Sequence, residues 1–178
     1  MDVTRRRFLL AGGAATAAVS LAAIGGCSRT IAGTATATSN AAGSAAPPGG
    51  FEVTYSDDEW KRRLSPAQYD VLRQAGTEVP FSSPLDDEHR HGVFGCAGCA
   101  LDLFSSDTKF DSGTGWPSFW MPLDNAVIER SDGSLGMTRT EVLCRRCGGH
   151  LGHVFDDGPK PTGLRYCMNG VAMIFRAA

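Results

Sequence analysis

Residues 126–155 read AVIERSDGSLGMTRTEVLCRRCGGHLGHVF. Short β-like runs at 126–130, 135–144 and 151–155, broken by Gly, Asp and Ser, indicate strands. The sequence Ser131-Asp132-Gly133-Ser134 is typical of a hairpin turn between the first two runs. This stretch therefore predicts a mainly β fold with antiparallel pairing.

The flanking sequence adds two strands and two short helices. Strands are expected at Gly92–Cys96 and 171–175. Ser56-Asp57-Asp58-Glu59 has the pattern of a capping box, which predicts the start of one helix. Ser65-Pro66-Ala67-Gln68 predicts the start of a second helix, with Pro at its first position. Gly76 suits the C-terminal cap of that second helix.

Charge is distributed unequally along the chain. The net charge is −2, but residues 1–50 hold four Arg and one acidic residue. The remaining 128 residues therefore carry 13 Lys+Arg and 18 Asp+Glu, a net charge of −5. Phosphate contacts need clusters of Lys and Arg, so this acidic part argues against a nucleic-acid partner.

The N-terminal segment has the layout of an export signal. Arg5, Arg6 and Arg7 precede an uncharged, mostly apolar run at 8–26, which is typical of a secretory signal. Adjacent arginines followed by Phe8 and Leu9 indicate twin-arginine export. Residues 1–26 are therefore predicted to be a signal peptide. A single membrane anchor is the alternative, because 19 uncharged residues could just span a bilayer.

Cys27 follows Ile24-Gly25-Gly26, an arrangement that resembles a bacterial lipobox. The prediction is that Cys27 is acylated; ordinary cleavage at a small residue is the alternative. Residues 27–50 are rich in Ala, Gly, Thr and Pro. Because they offer little apolar surface to offset the entropy lost on ordering, they are expected to form a flexible tether. The tether leads to a domain predicted at 51–178. The protein is then expected at the extracytoplasmic face of a bacterial membrane, lipid-anchored, or secreted. The membrane is contacted only through the signal or the lipid.

Four cysteines form two CxxC pairs, Cys96 with Cys99 and Cys144 with Cys147. Two such pairs supply the ligands of a tetrahedral four-cysteine zinc site, so one structural Zn²⁺ is predicted. A single pair could instead be a redox dithiol, and an exported protein could form two disulfides.

Cys167 is the one cysteine of the domain outside these pairs. Alternation along a strand would place Arg165, Cys167 and Asn169 on one face, and the Arg is expected to lower the thiol pKa. His150 and His153 lie upstream, and a thiol near imidazoles could carry out nucleophilic chemistry with proton delivery. The alternative is that Cys167 is a small core residue.

Four segments resemble the signature runs of type B methionine sulfoxide reductases, which are peptide-methionine (R)-S-oxide reductases. They are GTEVPF at 76–81, KFDSGTGWPSF at 109–119, HLGHVF at His150–Phe155 and RYCMN at 165–169. The similarity covers roughly residues 59–176 and includes both CxxC pairs.

The resemblance implies a barrel-like body of two antiparallel sheets, with zinc opposite the active site. It also implies that Cys167 is the nucleophile and that oxidised methionine in proteins or peptides is the substrate. The polar groups expected to hold the sulfoxide oxygen are His150, His153 and Asn169, and His153, helped by His150, is expected to supply its proton. The expected substrate-binding residues are Trp116, Phe155 and Arg165. A monomer is expected.

One position departs from the family pattern. Many members carry a second cysteine just before GWPSF, where this chain has Thr114. A sulfenic acid formed at Cys167 is therefore expected to be reduced by an external thiol or a thioredoxin-like partner, in an enzyme that repairs oxidative damage in the cell envelope. The competing hypothesis from another class is a zinc-ribbon-like binding module without chemistry.

Overall fold

The computed structural model describes residues 49–178. Two antiparallel sheets form the body: a three-stranded sheet in the order β2-β1-β9 and a six-stranded sheet in the order β3-β4-β8-β7-β6-β5. Two short helices precede them. The helices are α1 (Asp57–Arg63) and α2 (Pro66–Gln74), and the strands are β1 (Gly92–Cys96), β2 (Asp102–Ser105), β3 (Lys109–Phe110), β4 (Ser118–Phe119), β5 (Val127–Asp132), β6 (Arg139–Cys144), β7 (His150–Phe155), β8 (Arg165–Met168) and β9 (Met173–Ala177). The predicted fold class, mainly β with two antiparallel sheets, is confirmed.

Both helices begin where their capping residues predicted. Ser65 and Gln68 form a complete capping box at the start of α2. At α1, Ser56 Oγ accepts the Glu59 N–H at 3.3 Å, but the Glu59 carboxylate binds Arg63 Nε at 2.7 Å. The predicted box at Ser56 is therefore one-sided. The cap of α2 is Ala75 in the left-handed region, one residue before the predicted glycine.

The predicted strands are present, but only Gly92–Cys96 has the predicted ends. The strand predicted at 135–144 begins at Arg139, because Ser134–Gly136 forms a 3-10 turn. The strand predicted at 171–175 begins at Met173, because Gly170–Ala172 forms another 3-10 turn. The hairpin between β5 and β6 closes on the pair Asp132↔Arg139, so its connection is longer than the predicted four-residue turn.

Aromatic packing joins the two sheets. Phe94 and Phe104, from the three-stranded sheet, and Phe119, from the six-stranded sheet, are completely buried. The rings of Phe104 and Phe119 stack at 4.4 Å between centroids, and Phe94 meets Phe119 edge-on at 4.9 Å. Such contacts add stabilisation beyond area burial. In the part of the chain that the structure describes, no helix is both long and apolar enough to cross a membrane.

Candidate active site

Cys167 lies in β8, between β4 and β7 of the six-stranded sheet. Its cross-strand neighbours are Ser118 on one side and His153 on the other. Directly paired residues of antiparallel strands project to the same face. Strand pairing therefore brings the predicted nucleophile and the predicted proton donor to one side of the sheet.

A cavity of about 150 Å³ opens above this face. Five of the predicted site residues line it: Cys167, His153, Asn169, Trp116 and Phe155. The structure adds three lining residues that sequence reasoning did not single out, which are Thr77, Arg139 and Gly152. The cavity thus combines one thiol, one imidazole and one amide with aromatic walls.

A bulge in β7 brings the two histidines together. Along β6 the pairing runs from Val142↔Gly152 to Leu143↔His150, so Leu151 is an extra residue without a partner. Residues three apart in a regular strand point to opposite faces of the sheet. One extra residue between them brings both side chains to the same face. The rings of His150 and His153 consequently lie 5.4 Å apart.

Asn169 satisfies the backbone of this bulge. Its N–H and its Nδ2 both donate to the Leu151 carbonyl, at 2.8 and 3.0 Å. Its Oδ1 accepts the Glu78 N–H at 2.9 Å. Nδ2 carries two hydrogens, of which the bond to Leu151 uses one. Asn169 therefore both supports the histidine strand and lines the cavity.

Burial governs the titration of Cys167. Removal from water raises the pKa of the thiol, and this effect outweighs the Thr114 hydroxyl and the Arg165 guanidinium, which both lower it. The expected effect of Arg165 on the thiol pKa is therefore present, but it is smaller than the effect of burial. Arg165 donates two 2.8 Å bonds to Asp157 and lies over the Phe155 ring at 4.5 Å. It therefore supports the aromatic wall and is absent from the cavity lining.

Burial acts on His153 in the opposite sense. Desolvation lowers the pKa of this imidazole, outweighing the hydrogen bond between its Nε2 and Asp132, at 2.9 Å. Burial therefore favours the neutral form of the His153 imidazole. With Nε2 held by Asp132, Nδ1 is the ring nitrogen left for other partners. Arg139 holds the same Asp132 carboxylate at 2.8 Å.

His150 lies behind His153, in a neighbouring cavity of about 360 Å³. Its Nδ1 is 2.7 Å from Glu141, and both side chains are buried. Glu141 also pairs with Arg130. Sequence reasoning missed Glu141 and Asp132. For Glu141, the available signal was an acidic residue placed directly before the apolar run Val142–Cys144 in a predicted strand, whereas Asp132 was interpreted as part of the hairpin turn.

Trp116 forms the apolar wall beside the thiol. Its Nε1 donates to the Glu78 carbonyl at 3.2 Å, which fixes the indole plane against the segment that follows α2. Thr114 lies next to the same wall, and its Oγ1 is 3.9 Å from Cys167 Sγ. The position that lacks a second cysteine therefore faces the nucleophile directly.

The four paired cysteines converge at a separate place. Cys96 ends β1 and Cys144 ends β6, and the four sulfurs lie within 4.8 Å of one another. Cys96 and Cys147 are 3.7 Å apart at sulfur, and Cys99 and Cys144 are 3.5 Å apart. The Gly98 N–H points at Cys96 Sγ at 3.3 Å, as in a knuckle turn. These residues could hold a metal ion.

Cys27 lies outside the described residues.

Comparisons with known proteins agree with this architecture. A sequence model of the SelR domain matches residues 64–177. The chain is 54% identical over 127 residues to "Peptide methionine sulfoxide reductase MsrB" of Leptospira interrogans. The aligned region covers 71% of this chain and 97% of that relative. It is 58% identical to the MsrB of Bradyrhizobium diazoefficiens, over 68% of this chain and 88% of the relative. It is also 58% identical to the MsrB of Pseudomonas putida strain GB-1, over 67% of this chain and 92% of the relative.

The titration of Cys167 can be measured by alkylation. Because burial raises the thiol pKa, the iodoacetamide rate at Cys167 should reach half its maximum at a pH above the value of about 8.5 for a free cysteine. Thr114→Val and Arg165→Gln each remove a group that favours the thiolate, so both should move this midpoint higher. Mass spectrometry of the Cys167 peptide separates this thiol from the paired cysteines. A midpoint below that of free cysteine would contradict the assignment.

Proposed function

The chain belongs to the SelR domain family, whose relatives above are peptide methionine sulfoxide reductases, and from this premise we propose that it reduces methionine (R)-sulfoxide in peptides and proteins. The observation that carries the proposal is the pairing of Cys167 with His153 on one face of the sheet, inside a cavity walled by Trp116. A zinc-ribbon-like binding module would need neither the thiol nor the imidazole there.

The reaction transfers one oxygen atom. The Cys167 sulfur attacks the sulfoxide sulfur and takes its oxygen, giving methionine and a Cys167 sulfenic acid. The sulfoxide sulfur is reduced by two electrons, and the cysteine sulfur is oxidised by two. Oxide is a poor leaving group, so the oxygen must gain a proton as the S–O bond breaks.

The titration of the two groups fits a neutral pair. A raised thiol pKa and a lowered imidazole pKa both oppose separation into thiolate and imidazolium before substrate binds. His153 is then the base that takes the thiol proton and returns it to the sulfoxide oxygen. Asp132 holds its Nε2 and so leaves Nδ1 for this transfer. His150 and Asn169 add polar groups on the same side.

Stereochemistry follows from the asymmetry of the cavity. The sulfoxide sulfur carries a polar oxygen, a small methyl group and a longer chain. The oxygen faces the side of His153 and Asn169, and the methyl faces the indole of Trp116, with Phe155 along the chain. Exchanging oxygen and methyl would place an apolar group against the polar side chains, which disfavours the S epimer.

A stereospecific assay tests the function. The purified protein, given dithiothreitol and separate R and S sulfoxide peptides, should reduce only the R epimer. Cys167→Ser removes the nucleophile and should lower the rate by at least about 1000-fold. His91→Ala, at an exposed position, is the control and should leave the rate unchanged. A cysteine control such as Cys99→Ser is unsuitable, because it disturbs the paired cysteines. Full activity in Cys167→Ser would exclude this mechanism.

The sulfenic acid is proposed to be reduced by a small thiol or a thioredoxin-like protein. The other cysteines of residues 49–178 are the four paired ones, and the residue facing Cys167 is Thr114. A hydroxyl cannot form a disulfide. The chain is proposed to act as a monomer, which sedimentation would test.

Restoring a second thiol should change the oxidised product. Thr114 Oγ1 is 3.9 Å from Cys167 Sγ, so Thr114→Cys places two sulfurs within reach of a disulfide. After one turnover without reductant, the wild type should carry a sulfenic acid that dimedone traps. Thr114→Cys should instead show a disulfide, with one water lost. Thr114→Ser is the matched control and should behave as the wild type. An intrachain disulfide in the wild type would refute the scheme.

One structural Zn²⁺ is proposed at the cluster of four paired cysteines. Four sulfurs within 4.8 Å, three of them on buried residues, suit the tetrahedral thiolate ligation that zinc prefers. Bound zinc would cross-link the fold and supply no redox chemistry.

Metal analysis checks this proposal. The purified protein should contain one zinc per chain, and Cys144→Ser should lose it. Because structural zinc contributes on the order of 10 kcal/mol, comparable to the whole stability of a domain, this variant should be largely unfolded by circular dichroism. Cys167→Ser should keep its zinc. Absence of metal together with two disulfides would contradict the assignment.

The leader is proposed to export and anchor the enzyme. The basic stretch before residue 8 and the uncharged run to residue 26 support a twin-arginine signal, and Cys27 supports lipid attachment. Residues 27–50 are then a tether, and 51–178 the catalytic domain. The protein would repair oxidised methionine at the outer face of the membrane or after secretion.

Electrophoresis tests the lipid. Inhibition of signal peptidase II should shift the protein to the size of the uncleaved chain, and Cys27→Ala should lose labelling by a fatty-acid analogue. Arg6→Lys together with Arg7→Lys should block twin-arginine export and leave the protein inside the cell. No mobility shift and no labelling would exclude the lipoprotein.

A further inference from the structure

Glu78 contacts two site residues and the turn that follows the nucleophile strand. Its backbone N–H donates to Asn169 Oδ1 at 2.9 Å, and its carbonyl accepts from Trp116 Nε1 at 3.2 Å. Its carboxylate accepts the N–H of Gly170 at 2.6 Å and that of Val171 at 2.8 Å. One residue therefore connects the apolar wall, the amide and the backbone just beyond β8.

The carboxylate is held at close range. A side chain at Gly170 would bring its Cβ to 2.0 Å from Ser83 Oγ, so the segment after α2 packs directly on the turn after β8. The two N–H groups that Glu78 accepts belong to the start of the 3-10 turn Gly170–Ala172 and need external acceptors. The two carboxylate oxygens of Glu78 each accept one of these N–H groups.

We propose that Glu78 is a positioning residue for substrate selection. The bonds from its carboxylate to the N–H groups of Gly170 and Val171 fix the position of its backbone. That backbone in turn holds Trp116 and Asn169 by hydrogen bonds. The inference rests on the proposed reductase activity. The Glu78 side chain is absent from the lining of the cavity around Cys167, so it acts through Trp116 and Asn169 without touching substrate. Displacing its backbone moves the indole that faces the substrate methyl and the amide that faces its oxygen.

Glu78→Gln is the sharpest variant. Glutamine has the same size and keeps one acceptor oxygen, but its NH2 group meets the second backbone N–H, donor against donor. The segment should then draw back from the turn and loosen the Trp116 wall. We expect KM for a methionine (R)-sulfoxide peptide to rise. The selectivity for the methyl sulfoxide over the ethionine (R)-sulfoxide, which has one more methylene, should fall by at least about threefold.

This ratio separates positioning from stability. A purely structural role would reduce the folded fraction and lower both rates equally, which leaves the ratio unchanged. Glu78→Asp keeps the charge but shortens the reach, and it should lower the ratio as well; it serves as the readout if Glu78→Gln does not fold. Asp86→Asn, another carboxylate in the same segment, is the matched control and should keep the wild-type ratio.

The outcomes distinguish the two proposals. A wild type that reduces neither sulfoxide refutes the reductase function, and the positioning role with it. An active wild type with the same ratio in Glu78→Gln and Glu78→Asp refutes only the positioning role. A lowered ratio in these variants, with Asp86→Asn unchanged, supports it.

Discussion

The pairing of β7 with β8, and the bulge that interrupts β7, is the constraint on which the site depends. Cys167 faces His153 because their strands are antiparallel neighbours, and His150 joins them because Leu151 is an extra residue. The approach is close: a Cβ at Gly152 would lie 2.1 Å from the Cys167 carbonyl oxygen. Only glycine allows the bulged strand to pass the nucleophile strand at this distance.

Burial then decides the protonation of the site. The same removal from water raises the pKa of the Cys167 thiol and lowers that of the His153 imidazole, so charge is disfavoured on both. Carboxylates are tolerated nearby because each is paired, Asp132 with Arg139 and Glu141 with Arg130. These pairs orient the histidines and leave the pocket suited to moving a proton within a neutral pair.

Much of this could be predicted from the sequence, and the exceptions share one cause. Strand alternation and cysteine spacing act over a few residues, so they predicted Gly92–Cys96 correctly and separated Cys167 from the paired cysteines. The bulge at Leu151, the Asp132–His153 bond and the Glu78 contacts depend on which strands meet, which no local pattern records. The net direction of the thiol pKa shift has the same cause: Arg165 lowers this pKa as expected, but Arg165 also binds Asp157, and burial has the larger effect.

The arrangement of thiols also orders the proposed reaction. The four paired cysteines lie where β1 of one sheet and β6 of the other end, so their sulfurs are placed to join the sheets. Cys167 alone remains for chemistry in the described residues, facing the hydroxyl of Thr114. The cavity around Cys167, at about 150 Å³, is small compared with the roughly 300–1,000 Å³ typical of ligand pockets. Because Thr114 supplies no second thiol, the proposed reaction needs a reducing thiol from outside the described residues, and that thiol must reach Cys167 through this small cavity.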